Sequence, residues 1–403
     1  MKVNIKPSKI SGLVTAPPSK SMAHRHLICA GLSDGISRIS NVAESEDILA
    51  TLTCLKALGA EISEAGNSTG EYKTLQIKGW NPGLSDEALL ECRESGSTLR
   101  FFIPLAALSE SEMKLKGSTV LMNRPLSVYE DLFEKQGLVF CRNDNELRIK
   151  GRLCGGEYEI PGDISSQFIS GLLFALPLCE EDSIIRLTGK IESRPYIDMT
   201  IQALGFYGVN AKWQGDSSIS IPGGQTYRAG DMRVEGDWSN AAYLIALGAG
   251  VDGLDEQSLQ GDKACVDYFR MLEEACSNLD IRDCPDLGPA LMSYAAMNHG
   301  CILTGTDRLR IKESDRGAAM KEELAKFGVD VDIGENSIVV GSGISRPRET
   351  LFGHNDHRIV MALAALCSVT GGVIEGSEAV AKSFPDFFEK IVEAGVIAEK
   401  EYC

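Results

Sequence analysis

The residues best suited to chemistry form one short segment, Leu309-Arg310-Ile311-Lys312-Glu313-Ser314-Asp315-Arg316. Lys312 and Arg316 can bind an oxyanion, and Glu313 can donate or accept a proton beside them. Alternating apolar residues at the start of the segment predict the end of a strand, and Ser314 is expected to cap a helix over residues 317–327. The amino end of that helix would add backbone N–H groups for the same anion. A turn with solvent-exposed ion pairs is the alternative interpretation.

A second group of cations and hydroxyls lies near the amino end of the chain. The segment PSKSMAHR predicts a helix start that carries Lys20, Ser21 and Arg25. A lysine, a hydroxyl, an arginine and free helix N–H groups together form a seat for a phosphate or a carboxylate. A basic, solvent-exposed helix start is the alternative, because Pro-Ser before a basic turn is also ordinary helix capping.

Two further segments offer polar groups at turns. In ESGSTLR, Gly96 lies in a turn of small residues, where backbone N–H groups can approach an anion, and Arg100 follows one turn later. In NRPL, Arg124 precedes a proline and is therefore held in an extended or turn conformation. Each segment alone is also typical of a loop that binds nothing.

Hydroxyl and amide groups recur before two more helices. GDISSQFISG supplies Ser165, Ser166 and Gln167, which suit either hydrogen bonds to a polyol phosphate or a doubled helix cap. SRPYID supplies Ser193 and Tyr196 in the same kind of position.

Three candidates remain in the second half of the chain. Asp286 precedes an apolar helix and is either a general base or a helix cap. Arg358 follows His354 and His357 at the start of another apolar helix. The His-x-x-His spacing suggests a metal site, but no third ligand is evident nearby, so we prefer an anion-binding helix start. Lys382 adds a last cation before the terminal helix.

The elements that must position these residues follow a repeated pattern: an amphipathic helix, a glycine that ends it, and a short strand with alternating apolar residues. Five copies end their helix at Gly59, Gly137, Gly208, Gly328 and Gly395. A sixth is predicted before residues 279–281, with Asn278 in the place of the glycine. The copies average about 67 residues, the size of a supersecondary unit. The sequence therefore predicts an α/β protein made of six similar units.

Two stretches rich in proline and glycine predict where the chain passes between two lobes. Residues 15–19 read TAPPS and residues 221–225 read IPGGQ. We expect residues 1–18 and 235–403 to form one lobe and residues 19–234 the other, with a ligand-binding cleft between them.

The composition describes an ordinary globular protein. Of the 403 residues, 43% are hydrophobic and 24% are charged, and no apolar run approaches the ~20 residues of a membrane span. The first ten residues contain no signal-peptide core, and the twelve cysteines include no C-x-x-C pair, a pattern typical of reduced thiols. The net charge of −17 argues against nucleic acid or an anionic membrane as partner. We therefore expect a cytoplasmic protein with neither partner.

Taken in order, the motifs resemble those of the 5-enolpyruvylshikimate-3-phosphate synthase family of enolpyruvyl transferases. The matching segments are PSKSMAHR, ESGSTLR, NRPL, GDISSQFISG, SRPYID, PDL, RIKESDR, NDHR and KSFPDFF. They run nearly from end to end of the chain, and RIKESDR and GDISSQ are the most specific. The resemblance implies a monomer with the two-lobed enolpyruvyl-transferase fold, in which each lobe holds three copies of a βαβαββ unit (an inside-out α/β barrel). It implies no metal and no organic cofactor.

The resemblance also implies a reaction: transfer of the enolpyruvyl group of phosphoenolpyruvate to the 5-hydroxyl of shikimate 3-phosphate, with release of phosphate, in aromatic amino acid biosynthesis. The residues that it assigns to shikimate 3-phosphate are Lys20, Ser21, Arg25, Ser165, Ser166, Gln167, Ser193, Tyr196, Asp286 and Lys312. Those that it assigns to phosphoenolpyruvate are Lys20, Gly96, Arg124, Gln167, Arg316, Arg358 and Lys382. Asp286 and Glu313 are the expected acid–base pair, and Lys20 assists them.

Three positions depart from the pattern common in enterobacterial members of the family. Glu94 stands in place of an asparagine, Arg194 in place of a lysine, and Arg308 in place of an asparagine that contacts the sugar acid. Glu94 lies beside the phosphoenolpyruvate turn, where it is expected to alter the affinity for anions, glyphosate included. None of the three is one of the expected acid–base residues.

Two alternatives remain. A sister enzyme with the same architecture transfers the enolpyruvyl group to a UDP-linked amino sugar and typically uses a cysteine in a mobile loop, whereas residues 118–124 contain no cysteine. The other alternative is a catalytically silent anion-binding protein, against which the presence of both Asp286 and Glu313 argues.

Overall fold

The computed structural model describes residues 1–65, 72–81 and 87–401. The chain divides into two compact units. Met1–Ser19 and Gly236–Cys403 form one, which we call the terminal unit, and Lys20–Glu235 form the other, the central unit. Each boundary lies one residue beyond the position expected from the sequence.

Short strands make up much of both units. The terminal unit begins with β1 (Lys2–Lys6) and β2 (Leu13–Thr15). The central unit contributes β3 (Ser33–Asp34), β4 (Ile36–Val42), β5 (Glu61–Glu64), β6 (Lys73–Lys78), β7 (Ala88–Arg93), β8 (Met113–Gly117), β9 (Val139–Arg142), β10 (Glu146–Lys150), β11 (Gly156–Pro161), β12 (Ser183–Thr188), β13 (Lys212–Gln214), β14 (Ser218–Ile221), β15 (Tyr227–Arg228) and β16 (Asp231–Arg233). The terminal unit resumes with β17 (Gly250–Asp252), β18 (Ser277–Asp280), β19 (Cys301–Thr304), β20 (Val331–Ile333), β21 (Ser337–Val340), β22 (Leu351–Phe352), β23 (Gly372–Glu375) and β24 (Ile397–Glu401).

The helices alternate with these strands. Those of the central unit are α1 (Lys20–Leu32), α2 (Glu46–Ala57), α3 (Gly96–Ala106), α4 (Thr119–Met122), α5 (Ser127–Lys135), α6 (Ser166–Ala175) and α7 (Arg194–Phe206). Those of the terminal unit are α8 (Trp238–Ala246), α9 (Cys265–Glu274), α10 (Gly288–Met297), α11 (Arg316–Lys326), α12 (His357–Thr370) and α13 (Phe387–Glu393). Short 3-10 helices cover Leu176–Leu178, Gly261–Ala264, Pro285–Leu287, Asp307–Ile311 and Ser377–Lys382.

One sheet topology recurs. Within the described residues, five four-stranded sheets have the strand orders β16-β4-β6-β5, β7-β8-β10-β9, β11-β12-β14-β13, β18-β19-β21-β20 and β22-β23-β1-β24. In each sheet the first two strands are parallel and the later pairs are antiparallel. The sixth repeat is represented by the parallel pair β2–β17, and β3 and β15 form a further parallel pair. The sheets thus agree with the βαβαββ unit expected from the sequence.

The five predicted glycine helix ends are confirmed. Gly59, Gly137, Gly208, Gly328 and Gly395 have φ of 108°, 70°, 76°, 83° and 106°, a conformation in which glycine carries no steric cost. The strands that follow them are β5, β9, β13, β20 and β24, and each pairs antiparallel with its neighbour.

The sixth predicted copy was wrong. Asn278 lies inside strand β18, which pairs parallel with β19, and its φ is not positive. Helix α9 instead ends at Glu274, where the next residue, Ala275, is already extended. The amphipathic helix was correctly recognised, but the strand after it opens a repeat instead of closing one.

Two local predictions around residues 309–316 were also wrong. Residues Asp307–Ile311 form a 3-10 helix instead of a strand end. Asp315, and not Ser314, caps helix α11, because the Asp315 side chain accepts a hydrogen bond from the Ala318 N–H at 3.0 Å.

A separate apolar core fills each unit. Helix α12 is buried continuously from His357 to Ser368, and a helix that is buried on all sides belongs in the interior. Helix α12 therefore lies in the interior of the terminal unit, whereas strands β1 and β11 alternate buried residues with more exposed ones. None of the helices among the described residues has both the length and the apolar character of a membrane span.

Candidate active site

The candidate residues lie beyond the carboxyl ends of parallel strands. Ser165 and Ser193 follow β11 and β12, which pair in parallel register up to their last residues. Asp286 and Lys312 follow β18 and β19 in the same way, and Gly96 follows β7. The carboxyl ends of parallel strands meet at one edge of a sheet, which is where α/β proteins bind ligands. The repeat itself thus brings chemically useful residues to equivalent edges.

Lys20, in the first turn of α1, is held by a carboxylate. Its Nζ lies 2.8 Å from Oδ2 of Asp47, in the first turn of α2. The side chains are 14% and 11% exposed. An ion pair this sheltered from water fixes the position of the ammonium group better than a surface pair does.

Arg25 ties α1 to α7 inside the central unit. It donates hydrogen bonds from Nη1 to the Ser21 carbonyl at 2.7 Å, from Nη2 to the Tyr196 carbonyl at 2.8 Å, and from Nε to Thr200 Oγ1 at 2.9 Å. Burial lowers the pKa of Arg25 to about 10, so the guanidinium remains charged at neutral pH. The structure thus brings Ser21, Arg25 and Tyr196 together.

A third group surrounds the start of α3. A Cβ atom on Gly96 would lie 2.8 Å from Nη1 of Arg124 and 3.2 Å from Nη1 of Arg100, so both guanidinium groups reach this turn. Arg100 Nη1 donates to Gln167 Oε1 at 2.8 Å, and Gln167 Nε2 donates to Ser97 Oγ at 3.0 Å. The predicted phosphoenolpyruvate residues Gly96, Arg124 and Gln167 therefore share one cluster.

The predicted hydroxyls lie at helix starts. Ser165 caps α6 by accepting a hydrogen bond from the Gln167 N–H at 3.3 Å, and Ser166 is the first helical residue. Ser193 precedes α7 in the left-handed conformation, with φ of 54°. A serine held at positive φ is strained, and such strain is concentrated at functional sites.

The terminal unit gathers three carboxylates around Arg316, which is 1% exposed. Arg316 Nη1 lies 2.6 Å from Asp286 Oδ1, Nη2 lies 2.7 Å from Glu313 Oε2, and Nε lies 2.9 Å from Asp356 Oδ2. Two more cations approach Asp286. Their contacts are Lys312 Nζ to Oδ1 at 3.0 Å and Arg358 Nη2 to Oδ2 at 3.8 Å. Five predicted residues, including both proposed acid–base groups, thus form one cluster.

The charges of this cluster set its protonation. Burial works against the charged form of Asp286, but Lys312, Arg316 and Arg358 outweigh it and hold the pKa of Asp286 well below its usual range. Burial lowers the pKa of Lys312, while the charge of Asp286 opposes this effect. Asp286 is therefore ionised at neutral pH and faces the cations Lys312, Arg316 and Arg358.

Two other cations from the sequence analysis, Lys382 and Arg308, make different contacts. Lys382 ends a 3-10 helix, and its Nζ donates to the Asn355 carbonyl at 2.7 Å, one residue before Asp356. Arg308, one of the three departures from the family pattern, is buried, and its charge contributes to lowering the pKa of Lys312. Arg308 therefore adds positive charge beside Lys312.

The His-x-x-His pair does not converge. His354 Nε2 lies 3.0 Å from Glu323 Oε1, whereas His357 is buried with Nδ1 3.8 Å from Asp356 Oδ1. Glu322, Glu323 and His354 bring three potential ligand atoms within 4.8 Å of one another. Glu323 already accepts hydrogen bonds from Lys326 and from a backbone N–H, as a structural buried carboxylate does.

Sequence reasoning missed three residues of these clusters. Asp47 and Asp356 received no role, and Arg100 was quoted only as part of a turn. Asp356 was detectable, since an aspartate just before an apolar helix is a standard cap, and it accepts the Arg358 N–H at 2.9 Å. Asp47 carried no comparable signal, because its partner Lys20 is 27 residues away.

The chain is similar in sequence to known proteins along nearly its whole length. A family model described as EPSP synthase (3-phosphoshikimate 1-carboxyvinyltransferase) matches residues 5–275 and 260–391. A 3-phosphoshikimate 1-carboxyvinyltransferase of Clostridium kluyveri is 42% identical and covers 98% of this chain and 97% of the relative. The enzyme of the same name from Clostridium novyi is 38% identical, and the match covers 99% of this chain and 98% of the relative.

The fold has solved counterparts as well. EPSP synthase from Acinetobacter baumannii superimposes with a TM-score of 0.80 at 22% identity and covers 100% of both chains. A second structure of that enzyme, at 2.37 Å, gives a TM-score of 0.79 at 23% identity. With this fold and these sequence matches along nearly its whole length, the chain belongs to the EPSP synthase (3-phosphoshikimate 1-carboxyvinyltransferase) family.

Proposed function

We propose that the chain transfers the enolpyruvyl group of phosphoenolpyruvate to the 5-hydroxyl of shikimate 3-phosphate and releases phosphate. The observation that carries this proposal is the cluster in which Arg316 holds Asp286 and Glu313 together, beside Lys312 and Arg358. It supplies two carboxylates for proton transfer and cations for an anionic substrate in one place. The two clostridial relatives carry the corresponding name.

The reaction needs two proton transfers. The methylene carbon of phosphoenolpyruvate takes a proton while the 5-hydroxyl adds to the neighbouring carbon and loses its own proton. Glu313 supplies the first proton and Asp286 receives the second, and Lys20 assists at the phosphoenolpyruvate side. The reverse movements then expel phosphate from the tetrahedral adduct. Each positioned acid or base contributes about 10²–10⁴-fold.

Binding two polyanions at one centre requires fixed positive charge. The residues proposed for shikimate 3-phosphate are Lys20, Ser21, Arg25, Ser165, Ser166, Gln167, Ser193, Tyr196, Asp286 and Lys312. Those proposed for phosphoenolpyruvate are Lys20, Gly96, Arg124, Gln167, Arg316, Arg358 and Lys382. Because a guanidinium matches the geometry of a carboxylate or phosphate with two parallel hydrogen bonds, the arginines also orient their ligand.

We further propose that the protein acts as a monomer in the cytoplasm, on small molecules and without a metal or organic cofactor.

An acceptor assay tests the function. Phosphate release from phosphoenolpyruvate is measured with shikimate 3-phosphate and, separately, with a UDP-linked amino sugar. Turnover with shikimate 3-phosphate alone is expected. Turnover with only the UDP-sugar identifies the sister activity, and turnover with neither identifies a silent anion-binding protein.

A further inference from the structure

Arg194, one of the three departures from the enterobacterial pattern, lies against a tryptophan. It is the first residue of α7, and its guanidinium carbon lies 4.2 Å from the centre of the Trp213 ring. Arg194 Nη1 also donates a hydrogen bond to the Asp216 carbonyl at 3.3 Å. The negative face of an indole attracts a cation more strongly than any other aromatic side chain does. The start of α7 is therefore attached to the hairpin formed by β13 and β14.

Trp213 makes a second contact with the same helix. Its Nε1 donates to Asp198 Oδ1 at 2.7 Å. Asp198 lies four residues after Arg194, on the same face of α7. The partly buried indole thus offers its ring to Arg194 and its N–H to Asp198. Two contacts of different kinds hold one face of the first turns of α7 against one side chain.

The hairpin that carries Trp213 is firmly held. Trp213 pairs with the completely buried Ile219 in the antiparallel register of β13 and β14, and β14 pairs with β12. In the turn of the hairpin, the Ser217 carbonyl accepts a hydrogen bond from the Leu187 N–H of β12 at 2.7 Å. The sheet therefore fixes the position of Trp213, and Trp213 fixes the position of Arg194.

The residue before Arg194 needs such support. Ser193 has a φ of 54°, and a serine keeps this unfavourable conformation only where its surroundings impose it. On one side the chain is held by the Glu192 N–H, which donates to the Gly162 carbonyl at 3.0 Å. Arg194 supplies the anchor on the other side. Because Ser193 and Tyr196 are proposed to bind shikimate 3-phosphate, this anchor bears on the substrate.

We infer that Arg194 and Trp213 are positioning residues for shikimate 3-phosphate: their stacked pair fixes the start of α7, and with it Ser193 and Tyr196. The inference rests on the proposed function and deepens it. Neither residue of the pair is among those proposed to contact the substrates. An arginine suits this role better than a lysine, because its flat guanidinium group can stack on the indole and still donate to the Asp216 carbonyl.

Steady-state kinetics with the full chain and both substrates tests the inference. Arg194→Gln removes the charge, Trp213→Leu removes the ring, and a double variant removes both. Arg194→Lys and Trp213→Phe are the conservative variants. Arg186→Gln is the matched control, because Arg186 lies on β12 of the same sheet and its side chain is 50% exposed, with Nη2 3.0 Å from Glu157 Oε1.

Arg194→Gln and Trp213→Leu should each raise the KM for shikimate 3-phosphate about tenfold, while the KM for phosphoenolpyruvate changes less than about twofold. The double variant should lose no more than the poorer single variant, since each residue acts through the other. The conservative variants should recover part of the loss, and Arg186→Gln should behave as wild type. A merely structural role would reduce the amount of folded enzyme, and hence the maximal rate, without changing either KM.

Three results would overturn the positioning role while leaving the proposed function intact. They are an unchanged KM for shikimate 3-phosphate in both single variants, an equal rise in KM for both substrates, and losses that multiply in the double variant. Arg194→Gln and Arg194→Lys decide the outcome should Trp213→Leu fail to fold, because Arg194 is only partly buried. No turnover of shikimate 3-phosphate by the wild-type chain would overturn both proposals.

Discussion

Lys20 and Asp47 form an ion pair in the central unit, with 2.8 Å between Nζ and Oδ2. Because both side chains are largely buried, Asp47 fixes where the ammonium group of Lys20 points. We predict that Asp47→Ala lowers kcat/KM about tenfold, equivalent to about 1.4 kcal/mol, through loss of this positioning. Steady-state kinetics with both substrates measures this change in kcat/KM.

A surface ion pair provides the control for this prediction. Lys78 and Glu61 approach to 2.7 Å, but their side chains are 57% and 73% exposed. Glu61→Ala should leave kcat/KM unchanged, since exposed pairs contribute little. Wild-type kinetics in Asp47→Ala would show that Lys20 needs no partner for catalysis.

Gly96 leaves room for two guanidinium groups. We predict that Gly96→Ala raises the KM for phosphoenolpyruvate about tenfold or more, because its Cβ would lie 2.8 Å from Arg124 Nη1 and displace that group. The stability of the protein should change little, since the displaced atom ends a flexible side chain. KM and the urea midpoint are measured together.

Gly205→Ala is the matched control for Gly96→Ala. Gly205 lies within α7 of the same unit, and a Cβ there would meet nothing within 4 Å. Gly205→Ala should leave the KM for phosphoenolpyruvate unchanged. A similar KM in both variants would contradict a role for the Gly96 turn in binding.

His26 makes the central unit sensitive to acid. Burial, helped by the charge of Arg25, lowers the pKa of His26 to about 4, whereas the unfolded chain takes up the same proton near pH ~6.5. The unfolded state therefore binds more protons between these values, and the free energy of unfolding falls as the pH drops through this range. The contribution amounts to about 3 kcal/mol.

Urea denaturation across this pH range tests the effect of His26. His26→Gln should make the free energy of unfolding less dependent on pH, whereas the same change at exposed His299 should not. An identical pH dependence in wild type and His26→Gln would exclude His26 as the source.

The cysteines divide by exposure. Among the described residues, Cys141, Cys154 and Cys276 are exposed, and the remaining thiols are buried. Burial raises the pKa of Cys265 and Cys301 to about 12, which suppresses the reactive thiolate. We predict that a thiol reagent labels the three exposed cysteines first and leaves turnover unchanged. Mass spectrometry locates the labels, and early loss of turnover would place a functional thiol among them.

Much of this architecture could be predicted from the sequence. The glycines at φ near 70–108° could be recognised in the sequence as helix ends, because other residues rarely adopt that conformation. Hydroxyls and carboxylates before apolar helices, such as Ser165 and Asp356, are equally visible as caps. Family motifs then assigned roles that the residue types alone left open.

The features that could not be predicted depend on contacts between residues that lie far apart in the sequence. Asp47 meets Lys20 across 27 positions, and Asp356 meets Arg316 across 40. The segment before Lys312 has strand-like alternation, yet it forms a 3-10 helix that leads into the Arg316 cluster. Asn278 failed as a glycine substitute because sheet pairing with β19 overrides its local preference.

The most direct measurement follows the reaction in heavy water by NMR. The wild-type chain, given phosphoenolpyruvate and shikimate 3-phosphate, should form an enolpyruvyl ether at the 5-oxygen, with deuterium in its methylene group, because the carbon is protonated and deprotonated during transfer. Glu313→Gln should nearly abolish this product while shikimate 3-phosphate still binds. An ether at another oxygen, no ether at all, or undiminished product from Glu313→Gln would contradict the account.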